Sequence, residues 1–235
     1  MSERLRAVQA RIDAACAASA RPRGQVTLLA VSKTFSADRV IAMADLGQRR
    51  FGENYLQEAL GKISECATQR PDLPIEWHFI GPIQSNKTRP IAEHFQWVHG
   101  IDRERVARRL SEQRPAQLPA LQVCLQVNIA AEDSKSGCTP EQAPALAALI
   151  ATLPGLRLRG LMAIPRPQAD PDAQRAQFAQ VRLLQERLQA QGLALDTLSM
   201  GMSDDLEAAI AEGATLVRVG SALFGPRGAA PAASA

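Results

Sequence analysis

Short apolar runs alternate with amphipathic stretches along the chain, and the alternation repeats eight times. Residues 3–20 carry a helical amphipathic pattern. "VTLLAVS" then reads as a buried strand, followed by a helix over residues 36–47 that ends at Gly47. The later strands are "RRFGEN", "IEWHFIG", "WVHGI", "LQVCLQVNI", "LRLRGLMAI", "DTLSMG" and "TLVRVG". Helical stretches follow them in turn: "YLQEALGKISECATQ", residues 86–94, "RERVARRLSEQ", residues 141–152, residues 172–191, "DDLEAAIAEG" and the short "SALFG". Several strands are continuously apolar, as expected when both faces are covered. Eight βα units in 235 residues predict one closed (β/α)8 TIM barrel with an extra N-terminal helix. An open doubly wound sheet is the competing architecture. No Gly-x-Gly-x-x-Gly follows the first strand, so nothing specific supports a dinucleotide fold. A single domain is expected over residues 1–228, with a disordered Pro/Ala/Gly-rich tail over 229–235.

Composition narrows the classes. Hydrophobic residues make up 46% and charged residues 22%, ordinary values for a globular chain that needs no staples. Aromatics are 4% and the net charge is a dispersed +3, which argues against nucleic-acid binding. Cys16, Cys66, Cys124 and Cys138 form no Cys-x-x-Cys pair, and His78, His94 and His99 lack zinc-ligand spacing. Free thiols in a reducing cytoplasm are expected. The N-terminus lacks the apolar stretch of a signal peptide, and no segment is long enough to span a membrane. A monomer is expected.

Basic residues are mostly arginine; lysine occurs at positions 33, 62, 87 and 135. Arginine carries charge but forms no Schiff base and keeps its proton near neutral pH, so a lysine at a strand end invites a chemical reading. Lys62, in a polar helical stretch, is expected to be solvated.

In such barrels the chemistry gathers at the C-terminal ends of the strands. The first strand ends in Ser32 and Lys33, the second in Glu53, Asn54 and Tyr55, the third in His78, Gly81 and Gln84. The fifth offers Asn128, the sixth Met162, the seventh Ser199, Gly201 and Ser203, the eighth Arg218, Gly220 and Ser221. "LSMGMSDD" and "VRVGSALFG" set glycines and serines before helix starts, the usual phosphate cradle of this fold. The plainer alternative makes Ser203 and Ser221 N-caps, and Asp204 and Asp205 would repel a phosphate unless turned away. Lys33, desolvated between apolar walls, would be a nucleophilic amine; alternatively it snorkels to solvent or pairs with Glu53. An amine beside a phosphate cradle suits a sugar-phosphate aldolase or pyridoxal phosphate. Arg218 and Gly220 share one side of the last strand. An arginine facing a pyridine nitrogen leaves it unprotonated and the ring a weak electron sink. The alternative pairs Arg218 with a carboxylate in the barrel.

"AVSKT", "FGENYLQE", "EWHFIGPIQSNK", "NIAAEDSKSG", "RLRGLMAI", "LSMGMSDDLEAAI" and "VRVGSALFG" resemble, in order, the motifs of the pyridoxal phosphate homeostasis proteins, single-domain relatives of the alanine racemase N-terminal barrel. The likeness runs from about residue 25 to 226. It implies a fold-type III barrel with pyridoxal 5'-phosphate on Lys33 as an internal aldimine and Arg218 facing the pyridine nitrogen. It implies that Ser203, Gly220 and Ser221 hold the phosphate. Asn54 and Met162 would line the ring pocket, with His78 and Ser199 nearby. Ser221 stands where many relatives have threonine and keeps the hydroxyl. The family is thought to buffer or deliver the cofactor, with pyridoxal-dependent apoenzymes as recipients and indirect effects on amino-acid and keto-acid balance. Two-base racemisation needs a second acid/base, which alanine racemase takes from another domain. Tyr55 is the one tyrosine here, so holding and releasing the cofactor is expected over turnover, with a weak racemase as the alternative. Lys135 is expected to be an ordinary loop lysine rather than a transient second cofactor site.

Overall fold

The computed structural model describes residues 1–129 and 136–226, so Lys135 and the tail 229–235 lie outside the described residues. Eight parallel strands close into a barrel in sequence order, each pairing with the next and the last with the first. They are β1 (Thr27–Val31), β2 (Arg50–Glu53), β3 (Glu76–Phe79), β4 (Trp97–Ile101), β5 (Leu121–Gln126), β6 (Leu156–Met162), β7 (Thr197–Ser199) and β8 (Leu216–Val219). The open-sheet alternative is excluded by that closure. The helices are α1 (Ser2–Ala18), α2 (Ala37–Asp45), α3 (Leu56–Gln69), α4 (Thr88–His94), α5 (Glu104–Gln113), α6 (Ala143–Ala151), α7 (Pro171–Ala190), α8 (Leu206–Ala211) and α9 (Ser221–Phe224).

Strand alternation sorts the side chains. On β1, Leu28 and Ala30 pack outward into the layer between sheet and helices, and Leu29 takes the opposite parity. On β8, Val217 and Val219 face outward, which turns Leu216 and Arg218 into the barrel. Leu29 and Arg218 are register partners. The outer layer is closed by helix stripes such as Val40, Met43 and Ala44 of α2 and Val106, Ala107 and Leu110 of α5, all fully buried. Entry into α7 is fixed by Asp170, whose carboxylate accepts from the Asp172 amide at 3.1 Å ahead of Pro171 at the first helical position.

The extra helix α1 lies outside the eight repeats. Its stripe of Leu5, Val8, Ile12, Ala15 and Cys16 is buried. Arg11 donates to Glu207 on α8 and, at 2.8 Å, to the carbonyl of Ser203, bracing the loop between β7 and α8. Among the described residues no helix is long and apolar enough to cross a membrane.

Candidate functional site

Lys33 follows β1 on the inward parity of Leu29 and is half-buried. The turn that carries it is held from outside the barrel. The Ser32 hydroxyl donates to Glu53 Oε1 at 2.6 Å. Lys62 Nζ donates to that same oxygen at 2.6 Å, to the Ser32 carbonyl at 2.9 Å and to Glu58 Oε1 at 2.9 Å. Glu58 also accepts from the Thr34 amide at 2.6 Å. Thr34 has φ +69°, an unusual conformation for a β-branched residue, and that bond steadies it.

Two expectations change here. Lys62 is not solvated: it is 5% exposed and ion-paired to the fully buried Glu53. It falls on the buried stripe of α3 with Leu56, Ala59 and Cys66, a spacing visible in the sequence but masked by its charge. Glu53 is the partner of Lys62 and Ser32, so the pairing considered for Lys33 is taken by another lysine. Burial raises the Glu53 carboxyl, against the pull of the Lys62 ammonium.

Arg218 is 4% exposed inside the barrel. Its Nη1 donates to the carbonyl and the hydroxyl of Ser199 at 2.6 and 2.8 Å, and its Nη2 to the Ala163 carbonyl at 3.0 Å. No barrel carboxylate is bonded to it among the described residues; Asp205 acts on it only through space. Burial lowers the guanidinium to about 10, so it stays a cation at neutral pH.

The loops after β7 and β8 approach closely. Gly201 has φ +93°, and a Cβ there would lie 2.6 Å from that of Ala209. At Gly220 a Cβ would meet the Val31 carbonyl at 3.3 Å. Neither serine is an N-cap: Gly220 caps α9 with Ser221 as its first, exposed residue, and Asp205 rather than Ser203 precedes α8. The Asp205 carboxylate folds back onto the Met202 amide at 2.5 Å. Replacing Gly201 by alanine is expected to destabilise the fold by about 2 kcal/mol through the left-handed φ and the overlap. Urea unfolding reads this as a lower midpoint at unchanged slope.

At the mouth a cavity of about 280 Å³ is lined by residues that include Asn54, Ile80, Gln126, Asn128 and Ile164. Met162, 1% exposed, sits beside it as the register partner of Gln126 and Ser199. A neighbouring hollow of about 550 Å³ shares Asn54 and is bordered by Tyr55 and Lys87. Tyr55 is 52% exposed and lines this hollow, not the smaller cavity.

His78 does not reach the mouth. Its ring nitrogens are bonded to His99 and Glu76, and it borders a depression at the N-terminal strand ends with Arg50, Glu76 and Trp97. Its inward parity was legible; its height, set by pairing with Gly52 and Trp97, was not. His99, which no motif singled out, bonds Ser199 at 2.7 Å and shares the inward parity of Trp97 on β4.

These residues fit pyridoxal phosphate. A buried, fixed cation, a half-buried amine in the turn after the adjacent strand and two close-packed glycine loops supply what a pyridine ring, an aldehyde and a phosphate need. The family model for the alanine racemase N-terminal domain matches residues 4–228. The chain is 63% identical to the pyridoxal phosphate homeostasis protein of Pseudomonas aeruginosa over 227 residues, covering 97% of this chain and 96% of that one. It is 49% identical to the protein of the same name from Escherichia coli K12, covering 97% of each. PipY of Synechococcus elongatus, solved with PLP bound, superposes with a TM-score of 0.81 at 37% identity, covering 95% of this chain and 99% of that one.

Proposed function

We infer the function from the premise that this chain belongs to the alanine racemase N-terminal domain family and, within it, to the pyridoxal phosphate homeostasis proteins. It binds pyridoxal 5'-phosphate and serves intracellular cofactor balance by holding and releasing it, not by turnover. When bound, the cofactor supplies an aldehyde for an amine and a ring that can draw electrons. Lys33 is the amine. Arg218 faces the pyridine nitrogen as a cation with no proton to spare, keeping that ring a weak electron sink. Ser203, Gly220 and Ser221 hold the phosphate, with the Ser221 and Ala222 amides at the start of α9 adding donors. Asn54 and Met162 border the ring, and Ser199 acts on it through Arg218.

The observation that carries this reading is the fixed Arg218 guanidinium on β8, next to the strand that leads into Lys33. Tyr55, exposed beside the neighbouring hollow, gives a racemase little support. The reading takes the chain as a cytoplasmic monomer that passes its cofactor to pyridoxal-dependent apoenzymes. The four cysteines, buried as free thiols, support a reducing compartment. The purified protein is expected to show a visible absorption band that borohydride bleaches, with the reduced cofactor mapping to the Lys33 peptide. A colourless protein that ignores added pyridoxal phosphate would count against it.

A further inference from the structure

The barrel interior carries an unbroken hydrogen-bonded chain from the N-terminal ends of its strands to Arg218. Arg218 Nη1 lies 2.8 Å from Ser199 Oγ, and that oxygen 2.7 Å from His99 Nδ1. His99 Nε2 lies 2.9 Å from His78 Nδ1, and His78 Nε2 3.0 Å from Glu76 Oε1. Glu76 also accepts from Arg50 Nε at 2.8 Å. His78, His99 and Ser199 are fully buried. Trp97 stacks on His78 with ring centroids 5.3 Å apart and planes 7° apart, and the Arg159 guanidinium lies over the Trp97 ring, 5.0 Å from its centroid.

The direction of the chain is forced at both ends. A guanidinium only donates, and an ionised carboxylate only accepts. The hydrogen bond from His78, with Arg50 beside it, holds the Glu76 carboxyl down to about 2 despite its burial. His78 must therefore present Nε2–H to Glu76. Burial lowers both imidazoles, His78 against the pull of Glu76; in the uncharged state His78 Nδ1 is an acceptor and takes Nε2–H from His99. His99 Nδ1 is then an acceptor too, and it takes the Ser199 hydroxyl proton. The lone pairs of Ser199 Oγ are left for Arg218. Every donor points from Arg218 toward Glu76. A second proton on His78 would reverse the middle links and leave the Ser199 proton without its acceptor.

We propose that His99, backed by His78, is a positioning residue for the cofactor: it fixes the Ser199 hydroxyl as an acceptor and thereby orients the Arg218 guanidinium against the pyridine ring. This rests on the reading that Arg218 faces that ring. With no acceptor at position 99, the hydroxyl can turn its proton toward the guanidinium, which then keeps its carbonyl anchors but loses one of its bonds to Ser199.

Two measurements test it. The chain has three histidines, and His94 is exposed, so a His94→Gln sample leaves two buried imidazoles in a ¹⁵N spectrum of the cofactor-free protein. Both are expected as neutral Nε2–H tautomers from about pH 6 to 8. A cationic His78 or an Nδ1–H tautomer at His99 overturns the proposal without any cofactor present. The second measurement is titration with pyridoxal phosphate. His99→Leu removes the acceptor, while His99→Asn keeps an oxygen near the place of Nδ1. The leucine variant is expected to bind about tenfold more weakly with a shifted visible band, and the asparagine variant within about twofold of the parent. Equal weakening in both, tracking lost thermal stability, marks a merely structural role and overturns the proposal, as does parental binding in the leucine variant. If the leucine variant does not fold, the tautomers and the asparagine variant decide. A parent protein without any visible band brings down the cofactor reading itself, a distinct result from a coloured parent with indifferent variants.

Discussion

Lys33→Ala protein is expected to be colourless, with the visible band lost entirely, not merely weakened. The reason is chemical: among the described residues, Lys62 is the other lysine at this end of β1, and its ammonium is committed to Glu53, Glu58 and the Ser32 carbonyl. Lys33→Arg should be equally colourless, since a guanidinium keeps the charge but not the nucleophile. Because Lys33 is only half-buried, either substitution should change stability by less than about 1 kcal/mol. Absorbance after incubation with excess pyridoxal phosphate, together with a thermal melt, checks both halves. A normal band in the alanine variant would move the covalent site elsewhere.

Lys62→Ala should behave in the opposite way, costing stability first. It leaves the fully buried Glu53 without its ammonium and releases Ser32 and Glu58 together. Removing one partner of a buried pair costs about 3–5 kcal/mol, which for a chain of this length lowers the melting temperature by roughly 10 °C. A Lys62→Met and Glu53→Gln double variant should recover much of that loss, because no charge is then stranded. The turn bearing Lys33 would still lack its brace, so the double variant should melt nearer the parent yet bind cofactor more weakly. If single and double variants melt alike, the pair is not what holds this region.

The two lysines show what the sequence could and could not say. Eight apolar runs with amphipathic partners were enough for the closed barrel, because burial on both strand faces leaves a local signature. The inward placement of Lys33 and Arg218 was legible from strand parity. Lys62 was misjudged because a charged residue scores as solvated unless its burial stripe is weighed above its polarity. His78 shows a different gap. Parity gives the side of a sheet, while height along the barrel comes from the register between strands, here His78 opposite Gly52 and Trp97. Register is a property of pairs of strands, and no single strand encodes it. His99 was invisible for the same reason: its partners come from β3 and β7.

The pairing of β1 with β8 also has a consequence for how the protein is made. A ribosome releases Lys33 early and Arg218 late, yet the two strands that carry them are neighbours in the finished barrel. Arg11 likewise waits for the loop at Ser203, which emerges long after it. Nascent chains therefore expose the Lys33 amine well before Arg218 and the loops after β7 and β8 exist. If Lys33 and Arg218 hold the cofactor as proposed, loading belongs to the completed polypeptide and not to the chain during translation.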